Sequence, residues 1–439
     1  MQYDFEISSG AYTVVSELQE AGFETYIVGG AIRDLLLKHK PKDFDISTSA
    51  TPEEVRKVFG RRRARIIGKR FRLTHVTING ELFEVSTFRR APQENAGQSR
   101  EEKFQQMPEN MIVSDNVYGT AHEDAFRRDF TVNALFYDPV EKRLIDHTGM
   151  GVSDIENQVV RAIGEPALRF EEDPVRMIRA LKLVAQFDFS LDAATENALF
   201  ASLPLLCHAS SGRLSLELEK ILKSSSCDRH FEVFFDYGLL PYFLPEFSSV
   251  WSSAAQKKAV DLLYERNCRI EAGIYRDSIS LALAAVALPF AVEALGEPDK
   301  VLWNRHDEES YEILSNIVKD IFSPQVLMVK VRESAVRILF TLSLLENADA
   351  ASVFQYTRHK SYSHARELMI IRHLAMGENI LELERSLPKG RDPREFRNEE
   401  NSSSRNRTPR HDKNSNHHRR RPRRGGRRPE IKPDFNDQD

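Results

Sequence analysis

The stretch from Tyr26 to Ser47, YIVGGAIRDLLLKHKPKDFDIS, constrains the rest of the chain more than any other. Tyr26-Ile27-Val28 reads as a short buried strand, Gly29-Gly30 breaks it, and Ala31 to Leu37 reads as the first turns of a helix. Two glycines between strand and helix let the backbone approach an anion closely, and the N–H groups at the helix start are unpaired. Arg33 adds a permanent positive charge there, next to Asp34. Lys42 to Ser47 then alternates as a strand does, so Asp43 and Asp45 share one face and Phe44 and Ile46 the other. Adjacent carboxylates repel unless a cation lies between them. Mg²⁺ favours this arrangement, with substrate phosphates and waters completing its shell. A phosphate cradle followed by a two-carboxylate metal strand implies nucleotidyl transfer from a nucleoside triphosphate. The plainer alternative is a GG turn and an edge strand with solvated aspartates. Either motif alone is weak; the pair at this spacing, with Arg33-Asp34 between them, is specific.

The surrounding segments supply further candidates. Tyr3 to Gly22 reads as an amphipathic helix, and Thr51-Pro52 starts another. Arg61 to Arg72 is strongly basic, with a strand expected at Ala64 to Ile67, so Lys69 and Arg70 are candidates to face triphosphate or RNA. Leu73 to Ile78, Asn79-Gly80 and Glu81 to Phe88 carry a hairpin signal, because Asn-Gly suits a type I′ turn. Glu84 falls on the face of the second strand shared with Leu82 and Phe88 and is a candidate third carboxylate. Arg89 to Val113 has no periodicity and reads as a long loop, a functional lid or disorder. A helix from about Glu123 carries Arg127-Arg128-Asp129, where Arg128 could bind triphosphate and Asp129 orient metal or ribose; a helix-terminal ion pair is the alternative. Ile155 to Ile163 begins a helical region. Glu172, Asp173 and Arg176 cluster near Pro174, and Asp173 and Arg176, three apart, can offer an acceptor and a fork of donors to a base edge.

From His230 to Leu387 the pattern is helical without a catalytic constellation. The clusters Arg332 to Arg337 and Tyr356 to Arg366 suit single-stranded RNA or solvated helix faces equally. Ile279 to Val292 is the most apolar run, shorter than the ~20 residues a membrane span needs; a buried helix stopping at Pro289 is expected, with no membrane association. Beyond Pro388 apolar residues almost vanish, which predicts disorder. Between Asn401 and Pro433 there are 12 Lys and Arg against Asp412 and Glu430, within a chain of net charge −4. An acidic body with a basic tail points to a polyanion gripped by Arg419, Arg420, Arg421, Arg423, Arg424, Arg427 and Arg428. Cys207, Cys227 and Cys268 form no CxxC pair and the N-terminus carries no leader pattern, so a reduced, cytoplasmic location is expected.

Over Tyr26 to Leu222 the sequence resembles the class II tRNA nucleotidyltransferase and bacterial poly(A) polymerase superfamily, through GGxxRD at Gly29–Asp34, DxDI at Asp43–Ile46, RRDFTxNAL at Arg127–Leu135 and EDxxR at Glu172–Arg176. IIGKRFRLTHV at Ile66–Val76 and DNVYG at Asp115–Gly119 are similar to the poly(A) polymerase branch in particular. The sequence departs from the usual Glu-Arg at Gly212-Arg213. The resemblance implies that Asp43 and Asp45 ligate metal and that Asp129 is a catalytic acid, with Glu84 a further candidate. By the same resemblance Asp173 and Arg176 read the base, and Asn133 joins the nucleotide-binding residues.

The resulting expectation is an α+β nucleotidyltransferase head with a mixed sheet (1–150), a helical nucleotide-selecting neck (151–225), an all-α RNA-binding body (226–387) and a disordered basic tail (388–439). The expected activity is template-independent addition of AMP from ATP to single-stranded RNA 3′ ends, largely regardless of sequence, by two-metal chemistry with Mg²⁺ or Mn²⁺. RNA-decay proteins are the expected protein partners. A CCA-adding tRNA nucleotidyltransferase would share the catalytic residues, and a catalytically dead RNA-binding protein is the alternative from another class.

Overall fold

Residues 1–68, 73–90, 117–296, 301, 303 and 307–390 are described by the computed structural model. Met1–Gly390 form one compact unit. The expected tail from Arg391 onward, Lys69-Arg70 and nearly all of the expected loop from Arg89 to Val113 therefore lie outside the described residues, while Pro388 is described and its carbonyl accepts from the Tyr362 hydroxyl.

The head is built on β1 (Thr25–Val28), α2 (Gly30–Leu36) and β2 (Asp45–Thr48), preceded by α1 (Ser9–Glu20) and followed by α3 (Pro52–Arg63) and β3 (Ala64–Ile67). Then come β4 (Leu73–Ile78), β5 (Glu81–Thr87), α4 (Ala121–Arg127), β6 (Leu135–Asp138) and β7 (Arg143–Asp146). The described strands form a mixed seven-stranded sheet in the order β3-β4-β5-β2-β1-β6-β7, with β2 and β5 parallel and the other neighbours antiparallel. The hairpin forms as expected: Asn79 (φ 52) and Gly80 (φ 84) take the positive angles of a type I′ turn between Ile78 and Glu81. Strand alternation sorts the side chains onto two faces. Ile27, Ile46, Val76, Phe83 and Val85 bury in the main core with residues of α1 and α3. Tyr26, Val28, Phe88 and Phe136 pack on the opposite face beneath Ala121 and Ala125 of α4.

Four local expectations are corrected. The first helix begins only at Ser9, because Ser8 caps it by accepting from the Ala11 amide and because Tyr3 and Phe5 instead stack against each other and Tyr137. The carboxylate strand begins at Asp45, not Lys42, so Asp43 precedes it. After α5 (Gly151–Glu156) the chain forms β8 (Val159–Val160) rather than helix, and β8 pairs in parallel with β9 (Ser190–Leu191). Valines suit that pairing better than a helix. The apolar helix runs through Pro289 to Leu295. Its residues from Leu281 to Pro289 are all buried, and that packing offsets the one backbone bond the proline removes.

Between β8 and β9 lie α6 (Pro166–Glu172) and α7 (Val175–Phe187). The body beyond is helical throughout its described residues, with Ala254–Glu271, Ile279–Leu295, Val329–Glu346 and Tyr362–Ala375 as its longest helices after β9. Among the described residues no helix is long and apolar enough to cross a membrane.

Candidate active site

Asp45 opens β2, in register with Val28 at the end of β1, immediately before the glycine turn. Asp43 stands two residues earlier, and both are exposed. The parallel register Ile46↔Val85 sets Glu84 of β5 beside Asp45. The Asp45 carboxyl is pushed up to about 6 by the protein walls around it, then by Asp43, then by Glu84, with Arg128 working against them. Such a group favours any bound cation. Among the described residues no three acidic, histidine or cysteine side chains lie close enough to hold an ion alone. That donor set fits a divalent cation that needs substrate phosphates as further ligands.

The cradle follows from backbone geometry. Gly29 has φ 78 and ψ −138, a conformation an L side chain rarely adopts, and a Cβ there would meet Arg128 Nη1 at 3.2 Å. A Cβ on Gly30 would meet Arg33 Nη2 at 3.3 Å. Two guanidiniums thus flank the turn. Arg128, the residue after α4, donates to Asp124 Oδ2 (2.9 Å) and Ser47 Oγ (3.3 Å) and lies over the Phe136 ring. Arg33 donates to Asp34 Oδ1 (2.6 Å) and Asn133 Oδ1 (2.7 Å), its guanidinium 4.5 Å above the Phe187 ring. Asp34 therefore clamps Arg33.

Asp129 is placed differently from the carboxylate pair. It is buried; Oδ1 accepts from the Phe130 amide and Asn133 Nδ2, while Oδ2 is 2.7 Å from Arg179 of α7. Burial works to raise its carboxyl, but Arg179 and these hydrogen bonds outweigh it and hold the group below the usual carboxylate range. Its oxygens are committed to protein donors, joining the Arg33–Asn133 network to α7.

Asp173 and Arg176 lie within a second network. Asp173 Oδ1 accepts from the Val175 amide at the start of α7, and Oδ2 pairs with Arg213 at 2.7 Å. Arg176 donates to Glu172 Oε2 (2.9 Å) and the Arg169 carbonyl (2.7 Å). The two are held by separate partners, not by each other. Arg213, noted in the sequence where Gly212-Arg213 departs from the usual Glu-Arg, was not carried among the candidate site residues; Gly212 sits inside a regular helix, Ser211–Lys223. Arg169, also missed, donates to the carbonyls of Arg127 (2.6 Å) and Arg128 (2.7 Å) and so ties α6 to the cradle.

Residues 25–161 match the poly A polymerase head domain family, and residues 188–250 match the family described as the probable RNA and SrmB-binding site of polymerase A. A poly(A) polymerase I of Haemophilus influenzae is 33% identical over 386 residues, covering 86% of this chain and 83% of that protein. The chain belongs to the poly(A) polymerase family. It is accordingly an enzyme, a nucleotidyltransferase acting at RNA 3′ ends. A CCA-adding enzyme of a Geobacillus strain is 38% identical over 232 residues, covering 53% of this chain and 54% of that protein. Among solved structures, the Bacillus stearothermophilus CCA-adding enzyme in complex with CTP superposes with a TM-score of 0.58 at 26% identity, over 86% of this chain and 81% of that one.

Proposed function

We propose that this poly(A) polymerase family member adds AMP from ATP to the 3′ ends of single-stranded RNA without a template and releases pyrophosphate. The observation that carries adenylation over CCA addition is the pair of motifs similar to the poly(A) polymerase branch, IIGKRFRLTHV at Ile66–Val76 and DNVYG at Asp115–Gly119. The match to the Haemophilus poly(A) polymerase I, over 86% of the chain, supports the same reading.

In this reading ATP lays its triphosphate on the Gly29-Gly30 turn, between Arg128 and Arg33. Asp43 and Asp45 would hold two divalent cations, which when bound lower the pKa of the RNA 3′-hydroxyl and neutralise the leaving pyrophosphate. Glu84 adds negative charge at the same place and strengthens the site for cations. Arg128 balances charge at the developing pyrophosphate and stays oriented by Asp124 and Phe136. Asp173 and Arg176 present an acceptor and a donor to the base, each fixed by its own partner. Asp129 holds α7 in place through Arg179. Catalysis is then positioning and charge neutralisation. RNA-decay proteins as partners and a cytoplasmic setting accompany the reading; the three free cysteines suit a reduced compartment.

Primer extension with Mg²⁺, offering each nucleoside triphosphate separately, tests it. Long ladders from ATP on an unstructured oligonucleotide are expected. Addition of two C and one A, confined to a tRNA lacking its CCA end, would move the chain to the CCA-adding activity. Binding of RNA without any extension would leave a non-catalytic binding protein.

A further inference from the structure

The sheet has an open polar row that the proposed ATP site does not use. Cross-strand register places Arg65 (β3) opposite His75 (β4), His75 opposite Glu84 (β5), and Glu84 next to Asp45 (β2). Directly opposed residues point to the same face. That face is the one on which α4 covers Val28, Phe136 and, just after β5, Phe88, but Glu84 of β5 stays exposed. Over β3 to β5 the row stays accessible: Arg65 and Glu84 are exposed and His75 is half-buried. The opposite face of the same strands, with Ala64, Val76 and Phe83, is fully packed. Arg65 has no ion-pair partner among the described residues. His75 Nε2 stands 3.4 Å from Glu84 Oε1 and makes no hydrogen bond.

The two sides of the carboxylates differ in chemistry. Gly29, Arg128 and Arg33 lie on the β1 side, where a triphosphate fits. An in-line displacement requires the attacking oxygen to enter opposite the leaving pyrophosphate. The RNA 3′-oxygen must then come from the β5 side, across Glu84. The strand behind that oxygen has to cross the open row. At about 4.8 Å between strands, Arg65 lies about 14 Å across the sheet from Asp45, within reach of the last phosphodiesters of the primer.

We infer that the row Glu84–His75–Arg65 is the primer subsite of the active site, with Arg65 contacting a backbone phosphate near the RNA 3′ end. The ligand is the phosphodiester backbone of single-stranded RNA, read without base preference. The inference rests on the proposed placement of ATP on the glycine turn.

The test uses the full chain and a short oligoadenylate ending in a 3′-deoxynucleotide, with binding followed by fluorescence anisotropy over a KCl series. Each phosphate neutralised on a single strand contributes about 0.7 to the slope of log affinity against log salt. Arg65→Ala is expected to weaken binding about three- to tenfold, the worth of one charge-assisted contact, and to lower the slope by about 0.7. Arg65→Lys is expected to restore the slope, and the ATP KM in extension assays is expected to hold. An unchanged slope in Arg65→Ala overturns the inference, and so does a rise in ATP KM with primer binding intact. Failure of the wild-type chain to extend any primer would overturn the proposed function instead, while the binding slopes would still decide this subsite.

Discussion

Asp45→Asn tests the electrostatic account of the site most directly. The Asp45 carboxyl is pushed from its ordinary value near 3.8 up to about 6 by its surroundings, Asp43 and Glu84. Two units at about 1.4 kcal/mol each give roughly 3 kcal/mol against the charged form. Asp45 is open to solvent, so screening reduces this to about 1 kcal/mol of real destabilisation. The sign follows from linkage. The folded state binds the proton more tightly than the unfolded chain, so the penalty is absent below about pH 4, grows as pH rises, and is complete above about pH 6. In EDTA at pH 7.5 Asp45→Asn should therefore be more stable than wild type by about 1 kcal/mol, and at pH 4 the two should coincide. Mg²⁺ together with a non-hydrolysable ATP analogue, whose phosphates complete the cation's shell, should reverse the order by raising the wild-type denaturation midpoint more than the variant's, because ligand stabilisation grows only where the ligand binds. Adenylation should fall by several kcal/mol in barrier. Urea denaturation followed by circular dichroism at pH 4 and 7.5, with and without Mg²⁺ and the analogue, reads the stability terms, and primer extension reads the barrier. A variant less stable than wild type at pH 7.5 in EDTA, or one that keeps the full Mg²⁺ shift, would refute the carboxylate-cluster reasoning.

Gly29→Ala forces an L residue into a positive-φ conformation and pushes a methyl toward Arg128; a stability loss of about 1–3 kcal/mol and a raised ATP KM are expected, and an unchanged KM would detach the turn from the triphosphate. Arg179→Ala leaves the buried Asp129 without its cationic partner and should cost about 2–3 kcal/mol in urea denaturation, less than a fully buried pair because Arg179 is itself half-exposed; no loss would mean the pair does not anchor α7. Truncation after Gly390 removes the arginine-rich segment and should lower RNA affinity and its salt dependence, while extension of a short primer at high concentration persists; loss of the chemical step would contradict that division. Arg213→Ala frees Asp173 Oδ2 and should narrow the preference for ATP over CTP about tenfold in kcat/KM, and an unchanged ratio would remove Arg213 from base selection.

Short-range signals in the sequence predicted the structure well where backbone chemistry decides it. The Asn79-Gly80 hairpin, the Gly29 turn and the Thr51 cap each depend on one or two residues with a conformational preference, and all three form. Asp45 and Glu84 lie side by side because β2 and β5 pair in one parallel register; the alternation of Phe83 and Val85 assigned the face of Glu84 but not that pairing. Long-range partners were not legible. Nothing near Asp129 in sequence announces Arg179, and nothing near Asp173 announces Arg213, because each contact is set by how helices pack. The spacing rule that joined Asp173 to Arg176 assumed a continuous helix. Asp173 instead has φ −150 and precedes α7; the Arg176 amide still donates to its carbonyl at 3.0 Å, but the two side chains turn to separate partners. The run through Pro289 shows the same limit: local propensity ends a helix there, and burial on every side continues it.

The arginines around the cleft share a logic that single motifs conceal. Each is held by a protein acceptor as well as being near the site: Arg33 by Asp34 and Asn133, Arg128 by Asp124, Arg176 by Glu172, Arg213 by Asp173. A guanidinium has five donors in a fixed fork, so one or two can be tied to the protein while others remain for a phosphate or a base. Fixing the fork beforehand reduces the side-chain entropy lost when the substrate binds. Arg65 is the exception: it is exposed and has no such acceptor among the described residues. An untethered arginine adapts to successive positions of a moving strand better than a fixed one. That fits an enzyme whose nucleotide pocket must present the same geometry in every cycle while its primer advances by one residue each time.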